Sequence, residues 1–267
     1  MEYLTLSNQF KVPMVGIGTN TFGKVNNQFN GDINMDTKEL VTAYLNGYRL
    51  VDTAIMYRNE AVIMQSIIDS GLNRREVIVT SKIPTKNIEL SDDEALEKMV
   101  LSSIETFGGY IDIYLIHHPS NDPAVNLKVW RLLEKYYESG HLKVIGVSNF
   151  SIKQLISLMG QAKIVPMMNQ IESNPANWQN ELIEFCKTNH IAPVAWGPLD
   201  PVPNKDLLTK IGEKYGKSWA QVLLKYQVMR GVIVIPKSHN KERQFENINI
   251  FDFTLSQKDI EKIEGNV

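Results

Sequence analysis

The sequence predicts an α/β fold of the (β/α)8 TIM-barrel class, with an N-terminal β-hairpin over the bottom of the barrel. Eight short runs rich in valine and isoleucine alternate with segments whose apolar residues recur every three or four positions. The runs lack the polar–apolar alternation of half-exposed strands, as expected for parallel strands covered on both faces. In chain order they are MVGIGT, YRLVDTA, VIVTSKI, IDIYLIHHP, KVIGVSNF, VPMMNQIE, APVAWGPL and VIVIPKS.

Local signals around these runs agree with the barrel. The segments YLTLS and FKVP, separated by Asn and Gln, predict the hairpin before the first barrel strand. Stretches such as ALEKMVLSSIETF and VWRLLEKYYESG have the spacing of amphipathic helices. Capping-box spacing occurs at Asp36 with Glu39, Ser91 with Glu94 and Ser151 with Gln154, and glycines typical of helix ends are Gly47, Gly71 and Gly140.

An open doubly wound sheet is the alternative fold. It is disfavoured because VGIGTNTFG does not match the G-x-G-x-x-G phosphate turn and opens no immediate helix. No linker, low-complexity tract or change of composition interrupts the chain, which predicts one domain over residues 1–267. The Gly- and Asn-rich segment from Thr19 to Met35 is expected to be functional, because long loops are uncommon in compact barrels.

Composition and charge exclude several classes of function. The formal net charge is −2 with both signs mixed along the chain, so neither nucleic acid nor a membrane is an expected partner. Cys186 is the only cysteine, which excludes an intrachain disulfide, and no Cys/His spacing predicts a metal site. Without a signal-peptide pattern or a long apolar run, we expect a cytoplasmic protein, as a monomer, with an oligomer left open.

Polar side chains follow the predicted strands at the edge where a barrel of this class places its active site. Each residue alone is more often a cap, a surface charge or a structural hydrogen-bonding group. Their convergence on one rim favours a functional site instead. They are Asp52, Ser81, Lys82, His117, His118, Ser148, Asn149, Asn169, Gln170, Trp196, Lys237 and Ser238.

Tyr57 lies five residues after Asp52, just before a predicted helix. A phenol with a pKa of about 10 is a poor acid at neutral pH, and a neighbouring ammonium would lower that pKa. Lys82 is placed to supply the ammonium, Asp52 to hold it protonated, and His117 to orient a substrate oxygen. These four side chains predict proton delivery to an oxygen that gains negative charge, as a carbonyl does on receiving hydride.

A resemblance to a known family supports this interpretation. The motifs GYRLVDTAIMYRNE, TSKIP, IDIYLIHHP, GVSNF, NQIESNP and IPKS occur in the order and spacing of the aldo-keto reductases. The similarity extends from the first hairpin to LSQKDIEKIEG, so the chain resembles this family of NADP-dependent carbonyl reductases over nearly its whole length. The resemblance assigns the family's catalytic residues to Asp52, Tyr57, Lys82 and His117.

The resemblance also implies NADPH as the cofactor and a set of residues around its nicotinamide. Ser148, Asn149 and Gln170 would hydrogen-bond the carboxamide, and Trp196 would stack on the ring. Leu199 belongs to a connection, residues 199–204, that is shorter than in many relatives. We expect this short cover over the pyrophosphate to let NADP leave quickly.

The segment IPKSHNKERQFEN predicts an anion site at the start of the last barrel helix. Lys237, Ser238 and Arg243 bring two cations and a hydroxyl to a helix N-terminus, which favours anions. By resemblance, these residues clamp the 2′-phosphate of NADP, and Glu246 and Asn247 contact the adenine end. The two cations predict a preference for NADPH over NADH.

Four residues are expected at the substrate pocket: Asn20, Phe22, His118 and Asn174. Three of them, Asn20, His118 and Asn174, replace residues common in the family, which allows a more polar substrate than an aryl aldehyde, although neutral drift is the simpler explanation. His117 and His118, as neighbours on a strand, are expected to point to opposite faces.

The predicted function is NADPH-dependent reduction of an aldehyde or ketone, with Tyr57 as the proton donor. Two alternatives belong to other classes. One is a regulatory subunit that binds NADPH as a redox signal with negligible turnover. The other is a lyase in which Lys82 forms a Schiff base with a carbonyl substrate.

Overall fold

The computed structural model describes residues 1–85 and 93–265, and its strands match the predicted runs. A two-stranded antiparallel hairpin pairs Tyr3 with Pro13, ahead of eight parallel strands in chain order. The strands are β1 (Tyr3–Thr5), β2 (Lys11–Pro13), β3 (Ile17–Gly18), β4 (Leu50–Asp52), β5 (Ile78–Ile83), β6 (Ile111–Ile116), β7 (Leu142–Ser148), β8 (Met168–Glu172), β9 (Ala192–Trp196) and β10 (Ile233–Val234).

The parallel sheet curls until its last strand meets the segment before β3. The backbone N–H of Val234 donates to the carbonyl of Met14 at 3.0 Å, and that of Gly16 donates to the carbonyl of Val234 at 2.8 Å. Each strand between β3 and β10 pairs with its neighbour in the sequence. These contacts confirm the predicted (β/α)8 barrel and its N-terminal hairpin.

Ten helices of the described residues lie between the strands or follow the last one. They are α1 (Lys38–Leu45), α2 (Glu60–Asp69), α3 (Asp93–Thr106), α4 (Pro123–Glu138), α5 (Ile152–Met159), α6 (Asn180–Thr188), α7 (Lys205–Glu213), α8 (Trp219–Met229), α9 (Lys241–Ile248) and α10 (Gln257–Glu264). Two helices, α7 and α8, lie between β9 and β10, so the chain inserts α7 where one helix would complete the barrel. No helix in the described ranges combines the length and the apolar character needed to cross a membrane.

The predicted helix boundaries were partly right. Ser151 and Gln154 form the expected capping box at α5. At α1 the prediction was wrong: Thr37 is the N-cap, and Asp36 Oδ1 accepts a hydrogen bond from the backbone of Lys38 instead of forming a box. The box at Ser91 lies outside the described residues. All three helix-ending glycines have positive φ: 100° at Gly47, 76° at Gly71 and 81° at Gly140.

Candidate active site

The four predicted catalytic side chains meet at the carboxyl ends of β4, β5 and β6. Asp52 ends β4, Lys82 is the penultimate residue of β5, and His117 directly follows β6. Tyr57 ends a single 3-10 turn, which Arg58 closes in the left-handed conformation with a φ of 60°. The barrel therefore brings residues that are 65 positions apart in sequence to one point on its rim.

Asp52 and Lys82 form a buried ion pair. Lys82 Nζ lies 2.5 Å from Asp52 Oδ1, and the two side chains are only 0% and 4% exposed. Lys82 also donates to the carbonyl of Thr53 at 2.9 Å, while Gln170 Nε2 donates to Asp52 Oδ2 at 2.7 Å. Burial alone would lower the pKa of Lys82, but the adjacent carboxylate outweighs it and the pKa is raised. Lys82 is therefore protonated at neutral pH.

Tyr57 lies against this ion pair, with its ring centroid 5.0 Å from Lys82 Nζ. Burial raises the pKa of Tyr57, and the lowering effect of Lys82 does not cancel it. The expected lowering of the phenol pKa was therefore wrong, because desolvation of the phenolate outweighs its attraction to the ammonium. Tyr57 keeps its proton at neutral pH, which is the state that a proton donor needs.

His117 stands edge-on to Tyr57, with ring centroids 5.4 Å apart and an interplanar angle of 83°. Burial, together with the nearby Lys82 and His118, lowers the pKa of His117 to about 2. The imidazole is therefore neutral at physiological pH and carries one N–H. Its Nδ1 atom is buried with no hydrogen-bond partner among the described residues.

His118 does not point away from His117 as predicted. The two rings are stacked, with centroids 4.5 Å apart and an interplanar angle of 11°. The alternation of a strand does not apply, because β6 ends at Ile116 and both histidines lie beyond it. Both imidazoles consequently line the same cavity.

A cavity of about 830 Å³ opens at this rim and extends well beyond the four predicted catalytic residues. Asp52, Tyr57 and His117 line it, whereas Lys82 is buried behind its wall. Its size and its mixture of polar and apolar walls suit a ligand as large as a dinucleotide. All of the predicted cofactor residues line it: Ser148, Asn149, Gln170, Trp196, Leu199, Lys237, Ser238, Arg243, Glu246 and Asn247.

The residues expected around the nicotinamide hydrogen-bond to one another. Trp196 Nε1 donates to Asn149 Oδ1 at 2.9 Å, which fixes the orientation of the Asn149 amide because the indole can only donate. Ser148 Oγ accepts from Asn149 Nδ2 at 3.0 Å and donates to the carbonyl of Gln170 at 2.9 Å. Gln170 uses one amide N–H on Asp52, so this wall links the cofactor region to the ion pair.

The predicted phosphate clamp lies between β10 and α9. Asn240 caps α9 by accepting from the backbone N–H of Arg243 at 2.8 Å, and its own N–H donates to Ser238 Oγ at 3.2 Å. Lys237 Nζ donates to Asn20 Oδ1 at 3.0 Å, and burial lowers its pKa. Two cations and a helix N-terminus thus face the cavity, as an anion site requires.

Only part of the predicted substrate set reaches the cavity. Asn20 and His118 line it, but Phe22 and Asn174 do not. Phe22 is buried and stacks on His239 with centroids 4.2 Å apart. Asn174 is buried in a turn, where its amide donates to the carbonyl of Asp200 at 3.0 Å. These two side chains thus serve packing and a turn behind the cavity wall, and their place at the substrate pocket stays a prediction.

The cavity wall contains further residues that the sequence did not single out. Phe29 and Met56 flank Tyr57, and the Phe29 ring lies edge-on to it with centroids 6.0 Å apart. Phe29 falls in the long segment already expected to be functional. The other group comprises Lys205, Ser218, Trp219 and Ala220 from the starts of α7 and α8. The sequence did not indicate that group, because its members come from two different helices and meet only in the folded barrel.

The segment from Thr19 to Met35 is held in place by two cations. Lys24 is almost fully buried, and its Nζ donates to the carbonyls of Asn20 at 2.9 Å and Phe29 at 2.7 Å. Arg58 donates to the carbonyl of Gly31 at 3.0 Å. A loop without regular strands is thereby held by hydrogen bonds to three of its carbonyls.

Known proteins of similar sequence and structure give the class of this site. A family model described as "Aldo/keto reductase family" matches residues 14–201 and 203–266. The chain is 39% identical over 266 residues to glyoxal reductase of Bacillus subtilis, covering 99% of this chain and 92% of that protein.

No three His, Cys, Asp or Glu side chains in the described part of the chain gather as a metal site would require.

Solved structures with a similar fold belong to the same family. An aldo/keto reductase from Brucella melitensis superimposes with a TM-score of 0.90 at 33% identity, covering 100% of this chain and 99% of that one. A Bombyx mori aldo-keto reductase in complex with NADP gives a TM-score of 0.85 at 31% identity, covering 99% and 92%. The barrel fold, the geometry of the site and these similarities together identify the class of protein as an oxidoreductase with a (β/α)8 barrel. The chain belongs to the aldo/keto reductase family.

Proposed function

We propose that this protein reduces a small aldehyde or ketone to an alcohol at the expense of NADPH, with Tyr57 as the proton donor. The observation that carries the proposal is a protonated phenol at the cavity wall, between the Asp52–Lys82 ion pair and the neutral imidazole of His117. Family membership supports the same chemistry.

Each of the four side chains has a separate task in this reaction. Bound NADPH supplies hydride to the carbonyl carbon. Tyr57 transfers its proton to the carbonyl oxygen as negative charge develops there. Lys82 stabilises the resulting phenolate electrostatically, and Asp52 keeps Lys82 charged and in position. His117, being neutral, offers an N–H to the same oxygen without competing as an acid.

The polar and charged side chains that line the cavity, the donor set for a cofactor, fit NADP(H). Amide and hydroxyl groups of Ser148, Asn149 and Gln170 suit a carboxamide, and the exposed part of Trp196 suits an aromatic ring. Lys237 and Arg243 provide two cations for a phosphate at the other end of the cavity. NADH lacks that phosphate, so the donor set favours NADPH.

The Schiff-base alternative conflicts with the state of Lys82. A Schiff base needs a neutral amine that the substrate can reach. Lys82 is held protonated by Asp52, is fully buried and does not line the cavity. The regulatory alternative does not explain why a protonated Tyr57 and a neutral His117 line a cavity beside the cofactor residues.

The substrate we propose is a small carbonyl compound that carries a second oxygen, such as an α-dicarbonyl. Polar side chains of the cavity wall, among them the imidazole of His118, which stacks on His117, favour it over an aryl aldehyde. The likeness to a glyoxal reductase points the same way. A panel of glyoxal, other dicarbonyls, sugars and aryl aldehydes would rank these classes.

Replacement of Tyr57 tests the proposal. Tyr57→Phe should lower kcat by about 10²–10⁴-fold, since the proton donor is lost, while the Kd for NADPH stays within about twofold. Steady-state NADPH oxidation and a fluorescence titration measure the two quantities. Tyr3→Phe, in the exposed β1, is the matched control and should behave as wild type. A Tyr57→Phe protein with unchanged kcat would refute the assignment.

A further inference from the structure

Lys205 and Trp219 form a cation–aromatic pair in the wall of the same cavity. Lys205 is the first residue of α7, and Trp219 is the first residue of α8. Lys205 Nζ lies 4.8 Å from the centroid of the Trp219 ring, and both residues line the cavity. Trp219 is partly buried, and at this distance the face of its ring attracts the ammonium of the exposed Lys205.

The charges of the cavity and of the cofactor suggest what this pair does. NADP(H) carries its negative charge in two places, the 2′-phosphate and the diphosphate that joins its two halves. Lys237 and Arg243 are already assigned to the 2′-phosphate. Among the described residues that line the cavity, Lys205 is the remaining lysine or arginine. The turn from Gly197 to Asp200, which directly follows Trp196, also lines the cavity.

We propose that Lys205, steadied by the ring of Trp219, binds the diphosphate of NADP(H) and covers the middle of the cofactor. The inserted helix α7 thereby supplies the cover that the short 199–204 connection lacks. This inference rests on the cofactor placement proposed above.

The expected strength follows from the exposure of Lys205. An exposed ion pair is weak and is screened by salt, whereas a charge-assisted hydrogen bond to phosphate is stronger. Lys205→Met should therefore raise the Kd for NADPH about three- to tenfold at low ionic strength, and by less at high salt. Release of NADP, followed by stopped-flow fluorescence, should accelerate by a similar factor.

The test compares ligands that differ by the diphosphate. Kd values are measured by fluorescence titration for NADPH, for 2′-phospho-ADP-ribose, which has the diphosphate, and for 2′-AMP, which lacks it. Lys205→Met should weaken the first two and leave 2′-AMP unchanged, and Lys205→Arg should restore most of the affinity. Lys210→Met is the matched control, because Lys210 lies on α7, is exposed and does not line the cavity.

A variant of the phosphate clamp separates two kinds of failure. Lys237→Met should weaken all three ligands, because all three carry the 2′-phosphate. If Lys237→Met weakens the binding of all three ligands while Lys205→Met binds NADPH like wild type, the inference about Lys205 is wrong and the cofactor placement stands. If Lys205→Met weakens 2′-AMP as much as NADPH, the diphosphate assignment is wrong. If Lys237→Met changes nothing, the cofactor placement itself fails.

Discussion

At the scale of single residues, burial sets the protonation of the proposed proton-delivery site, formed by Asp52, Tyr57, Lys82 and His117. It raises the pKa of Tyr57 and lowers that of His117, because in each case the charged form is the one that loses its solvent. Lys82 is the exception, since the carboxylate of Asp52 replaces the lost solvation. The result is one permanent cation behind two neutral groups that face the cavity. This distribution suits an oxygen that becomes negative only during the reaction.

The low pKa of His117 predicts how the free energy of unfolding depends on pH in the acid range. Its pKa in the folded state, about 2, is far below the ordinary value of 6.5, so between these limits the unfolded chain binds a proton that the folded protein does not. Stability therefore falls as the pH drops below about 6, by up to about 1.4 kcal/mol per pH unit from this group.

His117→Gln removes this titration and should flatten the pH dependence of the free energy of unfolding between pH 6 and pH 4. Urea unfolding at a series of pH values measures it. His141→Gln changes an exposed histidine and should leave the wild-type slope intact. A His117→Gln protein with the full wild-type slope would show that His117 is not held neutral.

At the scale of elements, the loop from Thr19 to Met35 joins the two ends of the cavity. Near the phosphate clamp, Thr21 Oγ1 lies 2.8 Å from His239 Nε2, and Asn20 accepts from Lys237. Near the catalytic residues, the loop sets Phe29 against Tyr57. Lys24 connects these regions, because it holds the carbonyls of Asn20 and Phe29 together.

Removing the Lys24 ammonium should therefore loosen the substrate side of the cavity. Lys24→Met loses two hydrogen bonds from a buried cation, and we expect KM for the carbonyl substrate to rise about fivefold or more. The Kd for NADPH should change much less, since the clamp residues remain. Lys38→Met, on the exposed face of α1, serves as the control. Equal changes in KM and in the Kd for NADPH would contradict a role confined to the loop.

The elements also show which parts of the molecule were predictable. Buried parallel strands have a continuous apolar pattern, and the polar residues that end them, such as Asp52 and Lys82, converge because of the barrel itself. His118 was misplaced because the exact end of β6 decides whether neighbouring side chains diverge. The sign of the Tyr57 pKa shift depends on depth of burial, which no local pattern reveals. Lys205 and Trp219 come together only through the packing of α7 on α8.

At the scale of the whole molecule, barrel closure gives the protein its working geometry. Hydrogen bonds between the Met14–Gly16 segment and Val234 bring the start of the chain to β10, whose end leads into the phosphate clamp. The proton-delivery site on β4–β6 and the clamp after β10 therefore open into one cavity. A long ligand anchored by a phosphate at the clamp could therefore extend through the cavity and place its other end beside Tyr57.

Transfer of deuterium from the cofactor to the product tests the proposed carbonyl reduction most directly. The wild-type protein would be mixed with glyoxal and with NADPH that carries deuterium at both C4 positions of its nicotinamide, and the product analysed by mass spectrometry. Carbonyl reduction by hydride transfer should give a hydroxyaldehyde with one deuterium on the newly formed alcohol carbon, and one NADPH consumed per product. If glyoxal and the rest of the carbonyl panel give no deuterated alcohol while NADPH binds tightly, the protein is not a carbonyl reductase.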